Sequence, residues 1–418
     1  METKTIYNNN YTLNMVKTAK FKTNKVQVSF KNSLTEETVA QRAIIPYLLK
    51  AVSKKYNSRE KMSAYLENMY AASFNVSVSK IAKTHGVNFD LNFINDQYTL
   101  AHETLFSDAL LFLKEVLLNP LFTEEIFFEE LRLLKEYFSG LYANKLKYAI
   151  NRLNNVMFKD DVYRLSALGE NKLLEHLTLE SCISEYEKML HNDMITITVV
   201  GDIVFDDVQK AIEKTFNFKA RQQKLTLIDN DYKRPIEVNE VIETLDVKQA
   251  KLVIGYRLNV FYETTDYLKA ILFNTVFGGN GESLLFKEIR DELGLVYFIN
   301  SSYDPYKGVL FIVSGIAKKD YQKVLKTIDN ITTKIIKQEY SDHLLEISKT
   351  LQINGLIESL DSISGLAARI NRDSLFKKNF DPDSLITKIS KITKDDLTLV
   401  AKKLVRDTIF FLKDDNNE

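Results

Sequence analysis

The stretch FGGNGESLLFKEIRDELGLVY, residues 277–297, decides how the chain is organised. It opens with a glycine-rich turn, continues as a helix of alternating acids and bases, and stops at Gly294 before a β-prone segment. Arg290 lies near the end of the predicted helix, and Tyr297 begins the predicted strand. A weaker copy of this helix and strand occurs early in the chain, which indicates a repeated unit.

Three matched positions at a nearly constant offset reveal the repeat. The pairs are Leu66 with Ile289 (289 − 66 = 223), Phe74 with Tyr297 (297 − 74 = 223) and Gly86 with Gly308 (308 − 86 = 222). The order of predicted helices and strands is the same in both halves. We therefore predict an α+β fold of two similar duplicated domains, each an antiparallel sheet backed by helices.

The domain boundaries follow from length and polarity. The 418 residues exceed what a single core ordinarily organises, so two domains are expected. The polar segment 219–240, which contains Pro235, has the composition of a linker. The sequence therefore predicts an N-terminal domain at 1–218 and a C-terminal domain at 241–418.

Local patterns in the first half predict several elements. Residues 24–31, 74–79 and 87–94 alternate apolar and polar side chains as half-buried strands do. His85 and Gly86 are predicted to form the turn between the last two strands. A helix is predicted to begin after Thr35, which would cap it.

The composition excludes several classes of protein. Lysine plus arginine and aspartate plus glutamate each number 56, so no nucleic-acid surface is indicated. A single cysteine, Cys182, excludes an intramolecular disulfide and a cysteine-rich metal site. No apolar run approaches a membrane span, and the N-terminus has no signal-peptide pattern. We expect a cytoplasmic protein with no nucleic-acid or membrane partner.

A search for catalytic motifs finds no local metal site. The five histidines are not spaced three or four residues apart, as a helix needs to present two ligands to one zinc ion. His102 and Glu103 begin an HExxH-like string, but Phe106 stands where its second histidine belongs. The GGNGES turn matches neither phosphate-binding glycine pattern, and Cys182 is expected to be a buried thiol.

Three long segments carry a resemblance to a known family. They are 105–136 with its Asn-Pro break, 168–203 ending in Gly-Asp, and 277–304, which is the most specific. With them, nearly the whole chain resembles the pitrilysin/insulinase (inverzincin) zinc peptidases. The similarity is to the short-chain branch that includes mitochondrial processing peptidase and bacterial paired subunits. The resemblance implies a metallopeptidase of the LuxS/processing-peptidase-like fold.

The resemblance also shows what this chain lacks. Active members carry HxxEH on the first long helix, where the glutamate activates a zinc-bound water. The corresponding segment here is IPYLLKA, residues 45–51, with neither histidine nor glutamate. A third-ligand glutamate is matched by Glu136 or, less well, by Glu129. One carboxylate cannot hold zinc, so no metal is expected in this chain.

The family's second signature is retained. Its FR…Y pattern falls on Arg290 and Tyr297, with Ile289 in place of the phenylalanine. In the family, this arginine and tyrosine face the zinc site, hold the substrate and stabilise the carbonyl oxygen under attack. The resemblance therefore implies catalytic roles for Arg290 and Tyr297, and substrate contacts for a glycine turn that comprises Gly278, Gly279 and Gly281.

The function implied is that of a substrate-positioning subunit that is inactive alone. Its partner would be a homologous HxxEH subunit that supplies the zinc, and the pair would act on peptides as a heterodimer; homodimers are also possible. The alternatives are a scaffold or peptide-binding protein with no role in proteolysis, and a self-sufficient hydrolase with unrecognised ligands. In the first of these, Arg290 would make an ordinary salt bridge and Tyr297 would pack in the sheet.

Overall fold

The computed structural model describes residues 1–100, 104–219, 225–230 and 232–415, which form two compact units. The first unit contains Met1–Phe138, Leu165–Leu227 and Glu358–Phe380. The second contains Ser139–Arg164, Ile228–Ile357 and Asp381–Glu418. No helix in the described ranges combines the length and the apolar character needed to cross a membrane.

The first unit is built on a six-stranded sheet. Its strands are β1 Glu2–Tyr7, β2 Thr12–Lys17, β3 Thr23–Ser33, β4 Ser73–Ile81, β5 Thr84–Ile94 and β6 Met194–Gly201. Their order in the sheet is β1-β2-β6-β3-β5-β4, which leaves β1 and β4 at the edges. All pairs are antiparallel except β2 with β6. One face of the sheet carries the apolar residues of the predicted alternation, among them Val26, Val28 and Phe30, all fully buried.

Helices cover the apolar face of this sheet. The helices of the first half are α1 Val39–Ala51, α2 Arg59–Asn68, α3 Leu105–Leu118, α4 Glu124–Ala143, α5 Lys145–Met157, α6 Leu179–Asn192 and α7 Phe205–Thr215. Side chains from α1, α3 and α7, including Leu49, Phe112 and Ile212, join the strand residues in one hydrophobic core. This packing determines which face of α1 is buried in the core and which face remains accessible.

The second unit repeats the plan with five strands. They are β7 Asn239–Thr244, β8 Ala250–Arg257, β9 Val296–Asp304, β10 Val309–Ile316 and β11 Val405–Lys413, in the order β7-β11-β8-β10-β9. This order reproduces β2-β6-β3-β5-β4, and again the first pair, β7 with β11, is parallel. The predicted α+β fold of two duplicated, largely antiparallel sheets is confirmed.

The helices of the second half include one unusual turn. They are α8 Tyr267–Phe277, a π-helix at Leu285–Glu292, α9 Tyr321–Ile336, α10 Asp342–Leu360, α11 Ile363–Leu375, α12 Pro382–Ser390 and α13 Lys394–Ala401. The π-helix occupies the place that α2 has in the first half, and each precedes the edge strand of its sheet. This edge strand is β4 in the first unit and β9 in the second.

Two helices belong to the unit opposite to their place in the chain. In the second unit, α5 places Ala149 and Leu153 against Val253 and Phe410 of β8 and β11. In the first unit, α11 packs Leu366 and other apolar residues against β2 and β6. The cut predicted at 219–240 therefore does not reproduce the two units. Contacts between residues far apart in sequence decide the membership of these helices, and local composition carries no signal of them.

Two local predictions are corrected. His85 and Gly86 do not form the turn, because both lie inside β5 and the chain reverses at Ala82 and Lys83. Ala82 adopts a left-handed φ of 47°, which is uncommon for a residue other than glycine and so was not expected from the sequence. The first helix begins at Val39, since the N–H of Val39 bonds the carbonyl of Thr35 across a turn at 36–38.

Candidate functional site

The π-helix at Leu285–Glu292 presents Arg290. The backbone N–H of Leu293 donates to the carbonyl oxygen of Glu288 over 3.0 Å, a bond that spans five residues. Ile289 points into the core of the second unit and is fully buried, which explains the apolar residue at this signature position. The wider turn leaves Arg290 on the outer side. Turns of this kind are rare and occur often at functional sites.

Arg290 is held beside the first residues of the following strand. Its Nε donates to the backbone carbonyl oxygen of Tyr297 over 3.0 Å, and its guanidinium lies 4.5 Å from the centroid of the Phe286 ring. A weaker ion pair joins Nη1 to Asp291 at 3.6 Å. The side chain is still 42% exposed. Stacking and one hydrogen bond therefore orient a guanidinium whose remaining N–H groups face solvent.

Tyr297 is the most exposed part of this arrangement. It is 75% exposed at the start of β9, the edge strand of its sheet. Its hydroxyl has no hydrogen-bond partner among the described residues. An aromatic side chain held out at a sheet edge is available to a second molecule, and the backbone of an edge strand offers unpaired donors and acceptors beside it.

The glycine turn before the π-helix is closely packed at two of its three glycines. A Cβ on Gly278 would lie 2.6 Å from Leu285 Cδ1, and one on Gly279 would lie 2.8 Å from Asn274 Nδ2. Gly281 is open, with Phe286 Cε1 4.0 Å away. Close approach of the backbone accounts for Gly278 and Gly279, while substrate contact by any of the three remains a prediction.

The helix that corresponds to the zinc-binding helix is α1 in the first unit. Its residues Ile45, Leu48 and Leu49 are buried in the core. Tyr47 and Lys50 instead line a cavity of about 370 Å³. The floor of this cavity is apolar and comes from α2 and β4, with Met62, Leu66 and Phe74. The degenerate segment 45–51 therefore still borders a cavity, and it contributes the phenol of Tyr47 and the ammonium group of Lys50 to the lining.

A glutamate reaches the same cavity, and it is Glu130. This residue of α4 is 6% exposed and accepts a hydrogen bond from Arg59 Nη2. Arg59 also forks onto Glu129, with Nη1 at 2.9 Å and Nη2 at 3.1 Å from its two carboxylate oxygens. Burial raises the pKa of Glu130, and the positive charges of Arg59 and Lys50 act against that rise.

The residues at this cavity do not fit a divalent metal. Zinc sites take three protein ligands from histidine, cysteine or carboxylate side chains. Here one carboxylate is present, and it is already bound to a guanidinium with a lysine nearby. In the part of the chain that the structure describes, no group of three or more such side chains could hold an ion. No catalytic step is therefore derived through a metal in this chain.

Comparison with known proteins agrees with this geometry. Residues 176–351 match the family model described as "Peptidase M16 inactive domain". The chain is similar to known proteins beyond that segment as well. It is similar to the probable inactive metalloprotease YmfF of Bacillus subtilis (strain 168), with 29% identity over 96% of this chain and 95% of that protein. The resemblance drawn from the sequence is confirmed.

Solved structures show the same architecture. A conserved protein from Enterococcus faecalis V583 superimposes with a TM-score of 0.93 at 27% identity, and the match covers 100% of both chains. A peptidase M16 inactive domain from Pseudomonas fluorescens gives a TM-score of 0.81 at 14% identity, over 100% of this chain and 99% of that one. The second similarity concerns the fold alone. The chain thus resembles a metalloprotease-like protein over nearly its whole length.

Glu130 is the residue at this cavity that sequence reasoning missed. Glu136 is exposed and pairs with Arg132 at 2.7 Å, and Glu129 is turned toward Arg59 at the rim. A signal was available, because Phe127, Leu131, Leu134 and Phe138 form the buried stripe of α4. Glu130 falls on that stripe, whereas Glu129 and Glu136 fall beside it.

The remaining candidates among the described residues are buried groups with structural roles. His85 is fully buried, and burial together with the charge of Arg42 lowers its pKa to about 3. Cys182 is buried on α6, where burial raises the pKa of its thiol to about 11 and keeps it unreactive. His102 and Glu103 lie outside the described residues.

Proposed function

We propose that this chain is the non-catalytic, substrate-positioning subunit of a heterodimeric zinc peptidase that acts on peptides. It would supply Arg290 and Tyr297 to a homologous partner that carries HxxEH and zinc. The chain alone would then be inactive, and proteolysis would require both subunits. The orientation of the Arg290 guanidinium beside the exposed Tyr297 is the observation that carries the proposal.

The chemistry of the pair supports a role toward a peptide under attack. A guanidinium and a phenol are fixed hydrogen-bond donors for the negative charge that develops on a carbonyl oxygen. Arg290 uses only its Nε for an internal hydrogen bond, so its other N–H groups can donate outward. Such exposed donors, together with the lack of a metal-ligand cluster among the described residues, suit a subunit that completes an active site in another chain.

The cavity at the degenerate helix supports the same division of labour. Lys50 and the ion pair of Arg59 with Glu130 occupy the position where a metal would need acceptors. Restoring activity to this chain would require the removal of two cations as well as the addition of ligands. A partner that already carries the ligands explains how the Arg290 and Tyr297 signature could function here.

The decisive experiment reconstitutes the pair. The chain is co-expressed with a homologous HxxEH protein from the same genome, and kcat/KM is measured on a peptide library for each chain and for the complex. Activity is expected only in the complex. Arg290→Gln and Tyr297→Phe should each lower kcat/KM by roughly 10²-fold, the loss typical of a donor to a developing oxyanion.

Matched substitutions control for folding and for charge. Lys287→Gln changes an exposed cation on the same π-helix, and Tyr232→Phe changes another exposed tyrosine. Both should leave kcat/KM within about twofold, as expected of surface changes away from the reacting groups. If the complex keeps full activity in both Arg290 and Tyr297 variants, the pair is only structural. Peptidase activity of the isolated chain with stoichiometric zinc would also refute the proposal.

A peptide-binding role without proteolysis is the second candidate. The apolar floor of the cavity beside Tyr47 favours it, because Met62, Leu66 and Phe74 could accept an apolar side chain. The same peptide library separates the two functions. Binding to the isolated chain that is lost in Leu66→Asp, with no cleavage by any reconstituted complex, would favour this candidate.

A further inference from the structure

The second face of the first sheet is polar, yet it is buried. Alternate residues of β3 on this face are Lys25, Gln27, Ser29 and Lys31. Lys25 is 3% exposed, Ser29 0% and Lys31 4%. A sheet that alternates apolar and polar side chains ordinarily turns its polar face to water. Here a helix covers that face, so its polar groups must find partners inside the protein.

The covering helix is α11, and Asn371 is its main polar contact. The amide nitrogen of Asn371 donates to Gln27 Oε1 over 2.8 Å and to Ser29 Oγ over 3.3 Å. Its amide oxygen accepts from Lys31 Nζ over 3.3 Å. One side chain of the helix therefore ties three strand residues together, and it provides the single hydrogen-bond partner that Lys31 has among the described residues.

A cavity of about 200 Å³ lies beside Lys31. In the register of the sheet, Lys31 of β3 is opposite Gly86 of β5, and Gly86 is opposite Ser79 of β4. A Cβ on Gly86 would lie 2.6 Å from Ser79 Oγ, so the row stays open only with glycine between the two polar side chains. We name this space the Lys31 cavity. Its polar and charged lining consists of Gln27, Lys31, Ser77, Ser79, Asn88, Asp90, Asn371 and Arg372.

The lining offers hydrogen-bond donors to the cavity. Lys31 has three N–H bonds and uses one toward Asn371. Ser79 Oγ accepts from Asn88 Nδ2 over 3.0 Å, which leaves its own proton to donate elsewhere. The one carboxylate in the lining, Asp90, is neutralised by Lys25 at 2.6 Å and accepts from Gln27 at 2.9 Å. The cavity therefore presents donors and no unpaired negative charge of its own.

Burial of the Lys31 ammonium group lowers the stability of the folded chain. This group has no ion pair with a carboxylate among the described residues, and burial lowers its pKa to about 7, against the attraction of Asp193. Other charged groups on the packed elements include Lys25 and Asp90 on the sheet and Arg369, Arg372 and Asp373 on α11. A buried cation that lowers stability is informative, because such groups are concentrated where a protein binds or reacts.

We propose that the Lys31 cavity binds a small oxyanion, with Lys31 as the charged donor and Ser79 as a neutral donor. The volume of about 200 Å³ is sufficient for an ion of a few heavy atoms. Inorganic phosphate and a short carboxylate share the required chemistry. This site is separate from Arg290 and Tyr297, and it stands whether or not the chain has a proteolytic partner.

Nuclear magnetic resonance of the full chain with ¹³Cε-labelled lysine tests the proposal. The Lys31 signal is assigned by its absence in Lys31→Met, and its titration midpoint is followed in chloride, in phosphate and in acetate. Binding of an anion stabilises the ammonium form. The midpoint should therefore rise by about one unit or more in saturating phosphate or acetate, equivalent to at least tenfold preference for the charged form. The anion that gives the larger shift in the Lys31 midpoint shows whether the site prefers a phosphate or a carboxylate.

Variants give an independent readout by calorimetric titration with the same two anions. Lys31→Met should abolish the binding heat, and Ser79→Ala should weaken affinity by about tenfold, the worth of one hydrogen bond. Lys22→Met removes an exposed lysine just before β3 and should change nothing. Ser79→Ala decides the matter if Lys31→Met does not fold. The same midpoint for Lys31 in chloride, phosphate and acetate, or equal affinity in the wild type and Ser79→Ala, would overturn the proposal.

Discussion

The backbone N–H of Ser301 donates to the carbonyl oxygen of Gly278 over 2.8 Å, and this bond fastens the glycine turn to the middle of β9. The hydroxyl of Ser301 also donates to Asn274 Oδ1, the side chain just before the turn, over 2.8 Å. The turn leads into the π-helix, and β9 begins near Tyr297. The contact between Gly278 and Ser301 therefore anchors the turn before the π-helix to the same strand that carries Tyr297, while the bond of Arg290 Nε to the Tyr297 carbonyl joins the two signature residues directly.

Replacement of Gly278 by alanine should destabilise the protein. The added Cβ would lie 2.6 Å from Leu285 Cδ1 and 2.7 Å from Ser301 Oγ, so buried atoms must move apart. A loss of about 1–3 kcal/mol in the free energy of unfolding is expected, as for overpacking in other cores. Denaturation in urea measures it. Gly281→Ala is the control, because its Cβ meets only Phe286 at 4.0 Å, and a loss as large as that of Gly278→Ala would contradict the packing argument.

The buried ion pairs of Arg42 should be essential for stability. Arg42 is fully buried, with Nη2 2.6 Å from Asp193 and Nη1 3.2 Å from Glu185. Arg42→Met leaves both carboxylates without their guanidinium, and the expected loss is about 3–5 kcal/mol. Arg132→Met breaks an exposed pair with Glu136 and should cost at most about 1 kcal/mol. Urea midpoints that fall equally in the two variants would show that burial does not matter here.

Acid should destabilise the protein partly through His85. Burial and Arg42 lower the pKa of His85 in the folded chain from 6.5 to about 3. Between about pH 6.5 and about pH 3, the unfolded chain takes up a proton on this residue that the folded chain excludes. Stability therefore falls as the pH decreases through this window, by up to about 1.4 kcal/mol per pH unit from this group, and the group has no effect above it.

The variant His85→Gln isolates this contribution. Its free energy of unfolding, measured by urea titration from pH 7 to pH 4, should fall less steeply than that of the wild type. His176→Gln changes an exposed histidine and should leave the slope as it is. Parallel curves for the wild type and His85→Gln would mean that His85 gains its proton in the folded state.

The purified chain should hold little zinc. One carboxylate at the cavity of α1, already paired with Arg59, gives the ion neither the ligand number nor the charge it needs, so less than about 0.1 zinc per chain is expected after dialysis. Atomic emission on the dialysed protein measures it. Arg59→Met, which releases Glu130, should not raise the zinc content, because the other ligands are still missing. Stoichiometric zinc in the wild type would reveal ligands that the geometry does not offer.

Much of the fold could be predicted because apolar periodicity and the duplicated pattern are local signals. The alternation in 24–31 predicts β3, and the offset of 223 between Phe74 and Tyr297 predicts matching strands in the two halves. The early strands β1 and β2 were not predicted. The unit to which α5 and α11 each belong could not be predicted either, since it depends on contacts with strands that lie far away in the sequence.

The candidate site was predictable only in part. The residue types at Arg290 and Tyr297 pointed to the signature, but the π-helix that turns Arg290 outward leaves no mark that propensity alone detects. Glu130 was overlooked because Glu129 and Glu136 lie on the same predicted helix, and the sequence alone does not show which glutamate faces the cavity. The Lys31 cavity was also out of reach, because Lys31, Gly86 and Ser79 come together only through strand register.

The assignment of α5 to the second unit and α11 to the first has a consequence for how the protein can be divided. Fragments 1–218 and 241–418, each produced alone, would carry one helix without its sheet and one sheet without its helix. Neither fragment should be an independently soluble domain. When the two fragments are mixed, each should supply the helix that the sheet of the other lacks. The two fragments should therefore fold only when both are present.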